Sequence, residues 1–288
     1  MILRYCGDED EAATFENKEK AKYSIIRYSV EKSQRVRDEI ILQLIKQIRN
    51  NKKKYSTENC WGLFASVVSV GAPSEKFIYP LMNWLMNMID IHQNEGYKDW
   101  SRFILCRVYN YHIMQDKRIF IPDPMEINYI INRRRIKVAL YMSNGAFLTC
   151  WIESYTDVDA LKSEALLRLG LKTDHKWRYG ILEYVEYPTK FEERFLENHN
   201  NVMDVVASWI PLKAKNKSIR KCKLFLTAVL SPPYLKDRDF VTKLQFQAFA
   251  MNLYRGKLSM SNEEIATLVG MHFAADFGKT DGWEQELE

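Results

Sequence analysis

Residues 35–77 read RVRDEIILQLIKQIRNNKKKYSTENCWGLFASVVSVGAPSEKF. Ile41, Leu44, Ile45 and Ile48 recur at helical spacing and build one apolar stripe. Asp38 and Glu39 come early, where the helix dipole favours negative charge. Lys46, Arg49, Lys52, Lys53 and Lys54 follow, with no acidic residue between Ile40 and Thr57. The stretch therefore predicts a helical hairpin with one strongly cationic end. Its second helix, from about Glu58 to Val70, is apolar nearly all round through Trp61, Phe64, Val67 and Val68, the pattern of a helix buried on most sides. Gly71 is placed as its C-cap, Pro73 blocks continuation, and Ser74 caps the next helix.

Outward from this hairpin, residues 1–117 read as all-helical. A charged, exposed stretch from Asp8 to Lys22 precedes a helix at Tyr23 to Val30. An apolar helix runs from Ser74 to about His92 and is bent by Pro80. Gly96 breaks the chain before an amphipathic helix at Asp99 to His112. IPDP, residues 121–124, marks a boundary, because two prolines in four residues do not continue a helix. After a short helix at Met125 to Asn132, the apolar period changes from helical to alternating. Ile136, Val138 and Leu140 alternate with Arg135, Lys137 and Ala139. Ser143-Asn144-Gly145 predicts a hairpin turn with a return strand at Phe147 to Ile152. Thr156 caps a helix closed by Gly170; strands at Trp177 to Val185 and Cys222 to Leu230 flank a loop and a short helix near Val202 to Trp209. Hairpin, helix, strand, short helix, strand is a ubiquitin-like order. Pro232-Pro233 marks the next change. A helix at Asp239 to Tyr254 follows, then one opened by the capping box of Ser261 and Glu264 and ended at Gly278.

The fold class is therefore mixed α and α+β in three sections: 1–117 all-helical, 118–230 a ubiquitin-like β-grasp lobe, and 231–288 helical. The 288 residues, 47% hydrophobic and 13% aromatic, have ample material for packed cores. Of the +5 net charge, +4 lies up to Arg118, where 19 Lys+Arg face 15 Asp+Glu; the remaining 23 against 22 give +1. Such a mild excess suits an acidic filament or an anionic membrane and does not demand nucleic acid. Five scattered cysteines without CxxC spacing read as reduced core residues of a cytosolic protein. No apolar run has the length of a membrane span, and Arg4, Gly7, Asp8 and Glu9 interrupt any signal peptide.

ILRYCGD near the start, RVRDEIILQLIKQIRNN, and NCWGLFASVVSVGAPSEKF resemble the myosin-tail homology 4 domain of unconventional myosins and kinesin-like calmodulin-binding proteins. The second half resembles a FERM domain. Residues 118–230 are similar to its ubiquitin-like first lobe, and LYRGK with SNEEIATLVGMHFAADFG to the start of its helical, acyl-CoA-binding-protein-like second lobe. Further helices upstream of ILRYCGD, the rest of the second lobe and a third lobe, which the family carries, are absent from these 288 residues. The resemblance implies a non-enzymatic adaptor: a cargo- and filament-binding tail of a motor, located in the cytoplasm on the cytoskeleton, including the cilium. Its implied partners are microtubules or tubulin, cargo peptides, and actin through an attached motor. A motor-free structural subunit of a stable microtubule assembly and a peripheral membrane–cytoskeleton linker are the other readings.

No catalytic constellation accompanies this. The five histidines form no HxxxH or HExxH pattern, no Walker loop or GxGxxG occurs, and Glu192-Glu193 and Glu263-Glu264 lie where solvated loops or helix starts are expected. No cofactor, metal or nucleic acid is expected. Two basic runs are the candidate sites. Lys46, Arg49, Lys52, Lys53 and Lys54 are either a solvated helix end complementing the dipole or an electrostatic foot on an acidic filament such as microtubules, a membrane being a third reading. Lys213, Lys215, Lys217, Arg220 and Lys221, with Lys223, read as a solvated loop or as a phosphoinositide or partner contact. Arg133-Arg134-Arg135 reads as edge protection and pairing with acidic neighbours. Trp61, Trp84, Trp177 and Trp209 are assigned to the core; base stacking on a sheet would require exposed aromatics beside basic residues on adjacent strands.

Overall fold

The structure, a computed structural model, describes residues 1–7, 14–49, 51–114, 118–142, 145–228 and 261–277. Among the described residues seven helices come first: α1 (Ile2–Cys6), α2 (Phe15–Glu31), α3 (Gln34–Arg49), α4 (Lys54–Val68), α5 (Glu75–Ile91), α6 (Glu95–Met114) and α7 (Pro124–Ile131). Then come β1 (Ile136–Met142), β2 (Phe147–Ile152), α8 (Val158–Arg168), a 3-10 turn (Thr173–Arg178), β3 (Tyr179–Glu186), β4 (Phe191–Phe195), α9 (Val202–Lys215) and β5 (Lys221–Ala228). A further helix, α10, spans Asn262–Phe277. It opens on the expected capping box: Ser261 N–H and Oγ both meet Glu264 Oε2 at 2.9 Å.

The helical core is built around α4, whose Cys60, Trp61, Leu63, Phe64, Ala65, Val67 and Val68 are fully buried. Trp61 stacks on Phe64 and Trp84, with ring centroids 6.1 and 6.0 Å apart. Ile41, Leu44 and Ile48 bring the α3 stripe onto it, as their spacing demands. Each such large side chain contributes about 1.5–3 kcal/mol on burial, so this helix is the module's main source of stability. Ile127 and Ile130 of α7 belong to the same core, although α7 opens on the last proline of the IPDP segment.

The second core sits on one face of a five-stranded sheet of order β2-β1-β5-β3-β4. β1 pairs antiparallel with β2 from Ile136↔Ile152 to Tyr141↔Phe147 and parallel with β5. Ile136, Val138, Leu140, Cys150 and Leu224 meet Leu161, Ala165 and Leu166 of α8 on the covered face. Alternation of side chains along each strand produces this two-faced sheet.

Several local expectations are revised. The helix expected at Tyr23 starts at Phe15, because Thr14 Oγ1 caps it by accepting from Asn17 N–H. α4 starts at Lys54, four residues early, behind a turn in which Asn51 Oδ1 accepts from Lys53 N–H. α4 ends on Ser69 rather than Gly71. Gly71 instead holds φ +154 where the Arg37 guanidinium crosses, and a Cβ there would sit 2.7 Å from Arg37 Nη1. Ser74 starts α5 without a side-chain cap; its N–H donates to Asp38 Oδ1. Gly96 lies inside α6, where its N–H is taken by Asn94 Oδ1, and Asp157 rather than Thr156 caps α8. Trp177 lies in the 3-10 turn and is 52% exposed, so it is not a core residue. The residues assigned to a loop after β3 include the edge strand β4, whose FEERF sequence hides the usual apolar alternation. Cys6 and Cys60, both fully buried, form a disulfide with Cα atoms 6.0 Å apart, against the all-reduced expectation. A separation of 54 residues gave no sign of that contact. Ser143-Asn144, Pro232-Pro233, the helix at Asp239 to Tyr254 and the Gly278 cap lie outside the described residues.

Candidate partner-binding surfaces

The first basic run forms one tip. Lys46 and Arg49 leave the last turn of α3, and Lys52, Lys53 and Lys54 lead into α4. All five side chains are exposed. Lys54 Nζ lies 4.0 Å from Glu58 Oε1, an exposed contact one turn along α4. Lys46 and Arg49 also complement the negative end of the α3 dipole. Tyr55, 63% exposed, stands beside them with Lys18 Nζ 5.8 Å above its ring. Lys18 thus joins the tip from α2, nearly thirty residues upstream, where no sequence pattern connects it to the run.

The second run is not one loop. α9 continues through Pro211 to Lys215, so Lys213 and Lys215 lie on its last turn. Pro211 removes one backbone donor, yet the helix continues past it, and Asn216 N–H donates to Leu212 O at its end. Lys217 and Arg220 lie in the connection, and Lys221 opens β5; all five are exposed. Lys215 also rims a cleft of about 650 Å³ between α9, the β3–β4 ribbon and residues 119–120.

The two modules meet in a buried polar joint. Arg118, whose side chain is fully buried, donates from Nη1 to Glu126 Oε1 (2.6 Å) and from Nη2 to Glu126 Oε2 (3.1 Å). It also donates from Nε to Asp204 Oδ1 (3.0 Å) and from Nη2 to Met203 O (3.0 Å) on α9. Its own N–H donates to Val70 O just after α4. Asp204 further accepts from the N–H groups of Ile119 and Phe120. Burial works against the Arg118 charge, but Glu126 and then Asp204 outweigh it, and the guanidinium titrates above its ordinary range. One residue thereby ties α7, through its side chain, and the end of α4, through its main chain, to α9.

Two further contacts cross the joint from α6. Arg107 Nη2 donates to Glu153 Oε2 at 2.7 Å, and Glu153 also faces Arg135 at 3.6 Å. The buried Tyr111 hydroxyl lies 2.5 Å from Ser69 O and 3.1 Å from Ser154 O, sharing its proton between the modules. Burial pushes Tyr111 up to about 12. Asn201, the α9 N-cap, donates from Nδ2 to the same Ser154 O. Every charge of this joint is spent on another protein group, which suits a structural hinge-lock and offers nothing to a substrate. None of its residues stood out in the sequence, since Arg118 and Asp204 are separated by 86 positions.

Arg133-Arg134-Arg135 does not guard an edge, because β1 is the second strand of the sheet. The acidic pairing is present: Arg133 faces Asp99 at 3.9 Å and Arg135 faces Glu153. Among the described residues there is no group of three His, Cys, Asp or Glu placed to hold a metal, and no helix is long and apolar enough to cross a membrane.

Residues 23–129 match the family model of the MyTH4 domain, and residues 134–228 match that of the RA like domain. Among curated proteins, the chain is 23% identical over 252 residues to unconventional myosin heavy chain 6 of Caenorhabditis elegans, covering 85% of this chain and 12% of that protein. It is 22% identical over 251 residues to unconventional myosin-VIIb of Mus musculus, covering 85% and 11%. The chain thus spans about one eighth of the length of these relatives. The MyTH4-FERM MF1 domain of Dictyostelium discoideum myosin VII (mutant 2) superposes with a TM-score of 0.82 at 17% identity, over 99% of this chain and 59% of that one. The C-terminal MyTH4-FERM domain of human myosin 7b, solved in complex with the harmonin-a PDZ3 domain, superposes at 0.67 and 19% identity, over 97% and 56%. The fold is that of a MyTH4 domain followed by FERM lobes.

Proposed function

We propose that this pairing of a MyTH4 domain with a ubiquitin-like, RA-like lobe is a non-catalytic adaptor of the unconventional-myosin tail type, binding partner proteins on surfaces fixed by the Arg118 joint. The human myosin 7b domain carries a harmonin-a PDZ3 partner, and partner binding is extended here on the strength of that likeness in fold. The observation that carries the reading is the joint itself. A buried arginine held by Glu126, Asp204 and Met203 O makes the two modules one rigid platform rather than two tethered beads. The same packing supports a module division after α7 instead of at residue 117, because Ile127 and Ile130 are part of the helical core.

The finer proposal is that the tip of Lys46, Arg49, Lys52, Lys53 and Lys54, with Lys18, docks on an acidic filament surface such as the tubulin tails of a microtubule. Exposed like charges in one place sum into a field that falls off over about 10 Å at 0.1 M salt. Co-sedimentation with microtubules tests it. Binding is expected at low salt, to weaken at high salt, and to be lost when the five residues of the run are replaced by Glu. Unchanged sedimentation of that variant would discard the assignment. The exposed Lys213, Lys215, Lys217, Arg220 and Lys221 support a second contact, to an anionic membrane or an acidic partner. Flotation with phosphoinositide vesicles, using Glu replacements in that run alone, separates it from the first.

A further inference from the structure

α5 turns an uncharged face to solvent. Its inner face is buried in the helical core through Ile78, Leu81 and Leu85. Lys76, Tyr79, Pro80, Asn83, Met86, Asn87 and Asp90 are exposed along its outer face, and no charge occurs from Phe77 to Ile89. The exposed faces of α2 and α3 carry Glu16, Lys20 and Arg27, or Arg35, Glu39 and Lys46, as a solvated helix does. Tyr79 is 66% and Met86 44% exposed. The Tyr79 ring meets His112 of α6 edge-on, and Tyr109, one turn back on α6, adds another half-exposed ring to the patch.

The two charges that close this stripe sit at the ends where the helix dipole opposes them. Lys76 is in the first turn of α5 and Asp90 in the last; Glu75 alone is placed as the dipole favours. Neither Lys76 nor Asp90 forms an ion pair among the described residues. Nothing within one copy of the chain compensates the pair.

Symmetry selects the occupant. Lys76 and Asp90 each lie seven residues from Asn83, Tyr79 and Asn87 four, Pro80 and Met86 three. Steps of three and four residues are those of a coiled-coil seam. Two such stripes laid antiparallel about Asn83 therefore match. Lys76 meets the partner's Asp90, Pro80 meets the partner's Met86, and the two Asn83 amides exchange hydrogen bonds on the axis. Each charge also reaches the end of the other helix whose dipole favours it. A parallel pairing would set Lys76 on Lys76 and Asp90 on Asp90, which like charges oppose. A membrane surface calls for cations along the flank, where Asp90 stands instead.

We propose that the outer face of α5 is a self-association surface, on which a second copy of the chain docks antiparallel with Asn83 on the twofold axis. From Lys76 to Asp90 the stripe is about 21 Å long. A single-helix stripe of that length covers less than the about 800 Å² per partner of a standard interface, so the dimer is weak and concentration-dependent. The surface lies on neither basic run, so its failure leaves the adaptor reading standing.

The test uses the whole chain in sedimentation velocity over a concentration series. A monomer–dimer equilibrium is expected. Asp90→Lys sets lysine against Lys76 at both ends of the seam and should raise the dissociation constant about tenfold. Adding Lys76→Asp reverses both charges and should recover most of the parent affinity, because each meets its opposite again across the axis. Met86→Glu should abolish the dimer. Under mild oxidation with glutathione disulfide, Asn83→Cys should give an interchain disulfide. Asn87→Cys, about 12 Å along the seam from its counterpart, should not, nor should the parent chain with its exposed Cys106. A chain that stays monomeric throughout overturns the proposal. So does a dimer that Asp90→Lys and Met86→Glu leave unchanged, or a double reversal no tighter than Asp90→Lys alone. Equal cross-linking of the two cysteine variants marks a parallel pairing and overturns it too.

Discussion

Replacing Arg118 by Met keeps most of the aliphatic stem and removes the charge at the joint. Glu126, 1% exposed at its side chain, would then be a buried carboxylate without a counter-ion, and Met203 O would lose the Arg118 donor. Asp204, 14% exposed, would suffer less, because the N–H groups of Ile119 and Phe120 still reach it. Breaking a buried pair by removing one partner costs about 3–5 kcal/mol. Against a total stability of about 5–15 kcal/mol for a typical domain, that is a large share. The assay is equilibrium urea unfolding followed by tryptophan fluorescence. The expected result is a midpoint shift of that size, with the single transition splitting as the two cores lose their tie. Replacing both partners, Arg118→Met with Glu126→Leu, should recover at least about 2 kcal/mol, since no lone charge is left inside. If the single variant costs under about 1 kcal/mol, or if the double variant is no better than the single, the joint is not an ion-paired lock and does not hold the modules as one rigid platform.

Trp61→Ala should lose about 3–5 kcal/mol in the same assay, because Trp61 is fully buried and stacked between Phe64 and Trp84. Gly71→Ala should cost about 1–3 kcal/mol, since it forces an L side chain into φ +154 and against Arg37 Nη1; unchanged thermal unfolding would contradict the placement of Arg37. Tyr111 rises from 10.0 to about 12 on folding, so the stability it contributes is fully present below pH 10 and disappears as pH rises through about 12. The loss corresponds to about 3 kcal/mol. Tyr111→Phe should flatten that part of the pH profile of urea midpoints, and an unaltered profile would remove the hydroxyl from the joint.

What the sequence makes legible is whatever repeats within a turn or a strand. The stripe of Ile41, Leu44 and Ile48 and the all-round apolar α4 specify the helical core, because each residue's face follows from its spacing alone. The alternation from Ile136 to Leu140 does the same for the sheet. β4 escapes because an edge strand packed on one side tolerates Glu192, Glu193 and Arg194, and its pattern looks like a solvated loop. α9 is read too short because Pro211 is a strong local stop signal, yet the helix runs on to Lys215.

The joint was illegible for a different reason, and that reason bears on function. Arg118, Glu126 and Asp204 carry no spacing rule; their partnership exists only once α7 and α9 have been brought to the end of α4. Either basic run can be found by counting lysines, but a run of charge has no direction until the module bearing it is fixed relative to the next. Free rotation between the modules would average the field of the Lys46–Lys54 tip against that of Lys213–Lys221. With Arg118 in place each field keeps one orientation, and a partner can engage one without meeting the other. Arg118→Met should therefore alter partner binding even with every exposed lysine intact. Comparing microtubule co-sedimentation of that variant with the parent chain, at a temperature where both are folded, decides the point. Equal binding would mean that the tip acts by charge alone and that the rigid joint serves only stability.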